Sequence, residues 1–420
     1  MWRTPFDKGG QYYKISPNPS FSKRGSHRKG GRALGKLLFG MLISKQISDK
    51  MIPLDKVLNL FSPEPEAIIT SQRRQTSVWR RDELDYLPLL LTGATLPQRE
   101  NLPTYDLKEQ FFDKEKMLYE QVWGVLSIVG DTLPSVRANF GTGFLASVLG
   151  LEQEVFADKM PWLKKHLSKD EIKKLTPETL NPVWEMGLVP RAKEYMIFFQ
   201  ERLNGKAAVY LPDTQGPFDL AHLIRGNEIF TDIYDDPGFV HHLMRLSTYC
   251  YVEVTKCLKK VIAEPLNAGY HAGCLYMDDC GVRSCEDTTT LLSPDSVREF
   301  IVPYIREALS PFGGGWLHFC GKGEHLLETF LEIPEVKGIN FGNPENYTPA
   351  ELLPKLERKG KVYYGGFPRE EGEGMEEYFV RLLSPLRRKG TLILLFALPA
   401  GEGASSVLTL WHSVQDKIFG

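Results

Sequence analysis

From about residue 79 onward, short apolar runs alternate with longer stretches in which apolar positions recur at intervals of three and four. The runs are Tyr86–Thr92, Ser135–Phe140, Ala207–Leu211, Gly273–Met277, Gly315–Phe319, Val336–Phe341, Val362–Gly366 and Thr391–Phe396. Each has the length of a strand, and several end in glycine or a polar turn, as buried strands do. Between them, Asp106-Leu107-Lys108-Glu109 reads as a capping box opening a helix that carries Phe111, Phe112, Met117, Leu118, Val122 and Val125. Residues 151–200 predict amphipathic helix punctuated by Pro161, Pro177, Pro182 and Pro190, and a long helix is expected from Pro237 to about Glu264. Ser293-Pro294 supplies an N-cap hydroxyl followed by proline at the first helical position, ahead of Val297, Phe300, Ile301 and Tyr304. Strands alternating with helices imply parallel βαβ units. Eight such units favour a closed (β/α)8 barrel over an open sheet.

Composition is that of an ordinary globular protein with a large core, 42% hydrophobic and 25% charged. No run approaches 18 apolar residues, so no membrane span is expected. Six cysteines scattered through 420 residues are too sparse for a disulfide scaffold and fit reduced thiols in the cytoplasm. The net charge of −2 hides an asymmetry: residues 1–50 hold eleven Lys and Arg against Asp7 and Asp49. That arm, rich in Gly, Ser and Pro, is expected to be disordered, and no nucleic-acid partner is inferred from it. Ala33 to Ile43 looks like a targeting segment, but Lys36 interrupts it and no convincing cleavage site follows. Met41 and Met51 would also serve as downstream starts. The folded domain is expected to span residues 51–420. There is no internal repeat, Walker loop, nucleophile elbow or His-Glu-x-x-His helix. Gly141-Thr142-Gly143 lacks the third glycine of a dinucleotide site.

In a barrel, chemistry sits where the strands end and the βα loops converge. Those ends carry Arg137 and Asn139; Asp213, Thr214 and Gln215; Asp278 and Asp279, leading to Arg283, Cys285, Glu286 and Asp287; His318 and Cys320; and Asn340 and Asn343. Polar groups are costly in a core without partners, so their placement after apolar runs suggests a lined pocket. His318-Phe319-Cys320-Gly321 is the sharpest element. Alternate residues of a strand share a face, so imidazole and thiol point the same way, and both are good zinc donors. A hydrogen-bonded buried histidine beside a small apolar cysteine would look the same in sequence. Cys285-Glu286-Asp287 would supply further ligands or a general acid/base, or else cap the following helix. Asp213, Gln215 and Arg137 are expected to contact a small-molecule substrate, although turn chemistry explains the first two equally well. Arg225 is a further candidate for a carboxylate partner, and His241-His242 reads as structural.

At these residues the chain resembles the uroporphyrinogen decarboxylase superfamily, which includes cobalamin-dependent methyltransferases. The likeness is carried by Pro212-Asp213-Thr214-Gln215-Gly216-Pro217-Phe218-Asp219, by Leu292-Ser293-Pro294 with Phe300 and Pro303-Tyr304, and by His318-Phe319-Cys320-Gly321. It implies a distorted (β/α)8 TIM barrel, here with extra N-terminal helices. In the methyltransferase branch a His-x-Cys pair and a later cysteine hold zinc, which activates a thiol to accept methyl from a corrinoid carried by a partner protein. His318 and Cys320 match the pair, but no cysteine follows Cys320. Glu286, Cys285 or another donor would have to complete the site, or the enzyme would work without zinc. The decarboxylase branch uses no cofactor and binds its tetrapyrrole through arginines and an aspartate. Its Arg-Gln-Ala-Gly-Arg signature is absent; the nearest stretch is Val136-Arg137-Ala138-Asn139-Phe140-Gly141.

The expected function is therefore corrinoid-dependent methyl transfer. His318, Cys320, Glu286 and Asp287 would form the catalytic group, and His318, Cys320 and Glu286 the metal ligands. Arg137, Asp213, Gln215 and Asn340 would bind substrate. Decarboxylation of a tetrapyrrole or other carboxylated substrate is the enzymatic alternative, and a non-catalytic corrinoid- or tetrapyrrole-binding protein the third.

Overall fold

The computed structural model describes residues 53–96 and 102–420; the expectation for the basic arm, residues 1–50, lies outside them. Two helices, α1 (Pro53–Leu60) and α2 (Pro65–Arg80), precede the first strand. Eight parallel strands then alternate with helices: β1 (Leu89–Thr92), β2 (Ser135–Arg137), β3 (Ala208–Tyr210), β4 (Val282–Cys285), β5 (Gly315–Phe319), β6 (Val336–Phe341), β7 (Val362–Gly365) and β8 (Leu392–Ala397). Parallel ladders run continuously from β4 through β5, β6, β7 and β8 to β1. β2 pairs with β3, and the chain beyond β3 rejoins β4 through a parallel bridge between Gln215 and Cys285. On the other side, Val129–Gly130 adds antiparallel to β1 just before β2. The result is a distorted (β/α)8 barrel with two extra N-terminal helices.

α2 is fixed to the barrel by charge. Arg74 Nη1 donates to Asp131 Oδ1 at 2.6 Å, while its Nε and Nη2 grip Asp85 at 3.1 and 2.9 Å. The second oxygen of Asp131 accepts the Leu89 N–H at the start of β1. A buried carboxylate needs such partners, because desolvation penalises an unpaired charge heavily.

Seven of the eight sequence-predicted strands are barrel strands. The exception is Gly273–Met277. It belongs to an antiparallel hairpin (Ala268–His271 with Leu275–Asp278), and the true fourth strand is Val-Arg-Ser-Cys at 282–285. That strand escaped a hydrophobicity criterion because two of its four residues are polar and line or back the site. The hairpin is held by α2, whose Trp79 Nε1 donates to Tyr276 O at 2.8 Å, and by Lys259 Nζ, which donates to Ala268 O at 2.7 Å. Its tip carbonyls, Gly273 and Cys274, accept from Ser135 and Leu133 beside β2.

Two helix expectations also change. The predicted helix through Val125 is broken at Asp113, whose carboxylate caps a second helix by accepting the Glu115 and Lys116 N–H groups. Within 151–200, α-helix is confined to Lys169–Lys173 and Val189–Leu203; Pro161, Pro177 and Pro182 fall in the irregular chain between short elements. The capping box at Asp106 and Glu109 and the Ser293 N-cap both form, and the long helix runs Pro237–Val261.

Candidate active site

The register of three adjacent strands builds the centre of the site. Cys285 on β4 is the lateral partner of His318 on β5, and His318 is the partner of Asn340 on β6. Lateral partners in a sheet share a face about 4.8 Å apart, so the three side chains form one row on the barrel's inner wall. His318 Nδ1 lies 2.5 Å from Asn340 Oδ1, and Asn340 Nδ2 donates to the Tyr364 carbonyl at 2.5 Å. The other ring nitrogen, Nε2, lies 3.5 Å from Cys320 Sγ and 3.8 Å from Asp287 Oδ1. Gly342 leaves room for the thiol: a Cβ there would stand 2.4 Å from Cys320 Sγ.

Asp287 reaches the same place from the loop after β4. Its Oδ1 accepts the Cys320 N–H at 2.7 Å. Asp219, near the start of the helix Pro217–Arg225, accepts the Asp287 and Thr288 N–H groups, each at 2.8 Å, and so clamps the loop. Burial and the nearby Asp287 push the Asp219 carboxyl up to about 7. One donor atom each from Cys285, Asp287 and His318 lies within 4.8 Å of the others, an arrangement able to hold a metal ion. Cys320 stands beside them.

The chemistry of this set suits zinc: thiol and imidazole on a rigid wall, with a carboxylate from the adjoining loop. Burial, then Asp287, raises the Cys285 thiol above its ordinary range and takes Cys320 up to about 12. Burial lowers His318 and outweighs the attraction of Asp287. Without a cation the cluster therefore holds protonated thiols and a neutral imidazole, which are groups that a divalent ion converts to ligands.

Glu286 is placed elsewhere. Its carboxyl is fully buried on the far side of the β4 chain, where Oε1 accepts from Ser284 Oγ at 3.0 Å and burial, then Asp219, raises it well above the usual range. A Cβ on Gly216 would come within 2.1 Å of Oε1, so glycine there is what admits the carboxyl. The structure thus brings His318, Cys320, Asp287 and Cys285 together and leaves Glu286 behind the wall.

Below the row lies a charged layer. Arg283, two residues before Cys285, donates to Asp213 Oδ1 at 3.1 Å; Arg137 Nη1 stands 3.9 Å from Asp213 Oδ2, and Gln215 Nε2 donates to Oδ1 at 3.1 Å. Burial pushes the Asp213 carboxyl up, but Arg283 and Arg137 outweigh it and hold it below its usual range. His271 from the hairpin faces this layer against Tyr210 and Trp316, with ring centroids 5.5 and 5.2 Å away, and burial with the two arginines drives its pKa well down. No sequence signal pointed to His271, because it arrives from a hairpin outside the βα rhythm. Arg225 is engaged elsewhere, donating to Asp232 Oδ2 at 2.7 Å.

The model of the family described as uroporphyrinogen decarboxylase (URO-D) matches residues 70–351. The chain belongs to the uroporphyrinogen decarboxylase family. Among solved structures, this family member is similar to a methyltransferase from Methanosarcina mazei, with a TM-score of 0.59 at 12% identity, covering 83% of this chain and 98% of the other. At that identity the likeness speaks for the fold. No curated protein sequence matches the chain. Among the described residues, no helix is long and apolar enough to cross a membrane. This member carries a thiol–imidazole–carboxylate cluster above a two-arginine layer.

Proposed function

We propose that the chain is a zinc-dependent methyltransferase that moves a methyl group from a corrinoid, carried by a partner protein, to a small thiol with an acidic group. The observation that carries this reading is the convergence of Cys285, Asp287 and His318 within 4.8 Å. A second thiol is expected of such a centre, and Cys285 supplies it from the strand before the histidine, where the family pattern would put it after. Zinc held by Cys285, Asp287 and His318, with Cys320 adjacent, would supply a Lewis acid that lets the acceptor thiol ionise near neutral pH. The chain's own residues do the rest. Asp219 holds the Asp287 loop through two backbone N–H groups. Arg137 and Arg283 both face Asp213, and this layer would orient an anionic group. All six cysteines are free thiols, in keeping with action in a reducing cytoplasm.

Methylcobalamin serves as the test donor. With a short mercapto acid, zinc-loaded protein should convert it to cob(I)alamin, visible in its absorption spectrum, and a Cys285→Ala, His318→Ala variant should not. Equal rates from both proteins would overturn the reading. Decarboxylation of a carboxylated substrate is the alternative, favoured by the Arg137–Asp213–Arg283 layer. It predicts carbon dioxide release from a porphyrinogen with chelator present.

A further inference from the structure

The proposed zinc site depends on which nitrogen of His318 carries its proton, and the residues around Asn340 decide that. A carbonyl oxygen can only accept, so the Asn340 atom facing the Tyr364 carbonyl at 2.5 Å is the amide nitrogen. The oxygen of the same amide then faces His318 Nδ1, also at 2.5 Å. A close contact between that oxygen and a ring nitrogen requires the nitrogen to donate, so Nδ1 bears the hydrogen. In the neutral ring Nε2 is then left with its unshared pair, directed toward Cys320 Sγ at 3.5 Å and Asp287 Oδ1 at 3.8 Å. Register reinforces the chain of contacts, because His318 and Asn340 are lateral partners on β5 and β6. Gly365 leaves room for the amide: its φ is +147°, and a Cβ there would stand 2.9 Å from Asn340 Nδ2.

We propose that Asn340 is a positioning residue: anchored by the Tyr364 carbonyl, it locks His318 in the Nδ1–H tautomer and so readies Nε2 as a ligand. The sequence reading put Asn340 among the substrate-binding residues. The geometry instead turns both ends of its amide to protein, one to the peptide of β7 and one to the imidazole. Groups that donate to or accept from a ligand histidine's second nitrogen set its tautomer and basicity. The metal arm of this inference rests on the proposed zinc reading; the tautomer arm does not.

The test uses the full chain, labelled with 15N-histidine and stripped of metal, with His318 signals identified by their loss in His318→Gln. Two-bond 15N–1H correlations distinguish the two tautomers directly. The wild type should show the Nδ1–H form. Asn340→Asp, which keeps an acceptor for Nδ1 but loses the donor to the Tyr364 carbonyl, should show it in part, whereas Asn340→Leu should lose it. Zinc affinity should fall roughly 10–100-fold in Asn340→Leu and by less in Asn340→Asp, which keeps the acceptor and loses only the anchor. An Nε2–H tautomer in the wild type would overturn the proposal without any variant. So would an Asn340→Leu protein that keeps both the Nδ1–H form and wild-type zinc affinity. If wild-type chain binds no zinc yet shows the Nδ1–H form, the zinc reading fails and the tautomer lock stands.

Discussion

Cys285 and His318 stand side by side as lateral partners on two neighbouring parallel strands, although 32 residues separate them in the chain. Backbone pairing therefore fixes their separation, and loop conformation does not. A site built on strands is held more tightly than one built on loops, and this pair carries the core of the proposed metal centre.

Because Glu286 lies behind the wall, Glu286→Gln should retain wild-type zinc content while Asp287→Asn should weaken zinc binding by at least about tenfold, in the range seen when metal-site residues are altered. Zinc titration with a chromophoric competitor measures both. Equal losses in the two variants would place Glu286 in the coordination sphere and contradict the geometry.

Asp219 acts on the site through the Asp287 loop. Asn at that position offers one carbonyl oxygen where the carboxylate accepts two backbone N–H groups. Asp219→Asn should therefore loosen the loop, seen as faster amide exchange at Asp287 and Thr288. Unchanged exchange would mean that the clamp contributes nothing.

Arg137 is the more accessible member of the charged layer, with 19% of its side chain exposed against 6% for Arg283. Loss of one charged hydrogen bond to an anionic substrate corresponds to about 1.5–3 kcal/mol. Arg137→Met should accordingly raise KM roughly 10–100-fold for an anionic thiol and leave KM for a neutral thiol nearly unchanged. Equal effects on both thiols would remove Arg137 from anion recognition.

Much of this was readable in the chain, for identifiable reasons. β1 and β8 are near-continuous apolar runs, as strands covered on both faces must be, and they anchored the eight-unit rhythm. His318 and Cys320 were paired by the two-residue period of a strand. β4 was not readable: Arg283, bonded to Asp213, and Ser284, bonded to Glu286, interrupt its hydrophobic signal, while the hairpin's Leu-Tyr-Met supplied a decoy. Glu286 and Asp287 looked equivalent in sequence. The structure separates them, because the backbone leaves the strand at Glu286, with φ −132° and ψ 44°, and redirects the next side chain toward His318. His271 and the Asn340–Tyr364 contact depend on tertiary packing that no local pattern encodes.

The α2 anchor makes a prediction about stability. Arg74→Met would leave Asp131 buried with its Leu89 N–H bond but no cation, and losing one partner of a buried pair costs about 3–5 kcal/mol. Burial raises the Asp85 carboxyl, but hydrogen bonding to Arg74 and Tyr86, with the charges of Arg74 and Arg73, brings it down to about 2 from 3.8. A carboxyl with a depressed folded pKa adds stability above its unfolded value, and that increment is lost as pH falls from about 4 toward 2. Urea unfolding should show a gap between wild type and Asp85→Asn that narrows across this window. A gap independent of pH would contradict the assignment.

The central claim is that Cys285, Asp287 and His318 form a metal site. The most direct measurement is the zinc content of the purified chain and of Cys285→Ala, His318→Ala, by elemental analysis after exhaustive dialysis. The account predicts one zinc per chain in the wild type and none in a double variant that remains folded. A wild type that leaves dialysis without zinc and takes up none on titration, or a double variant that keeps its metal, would contradict it.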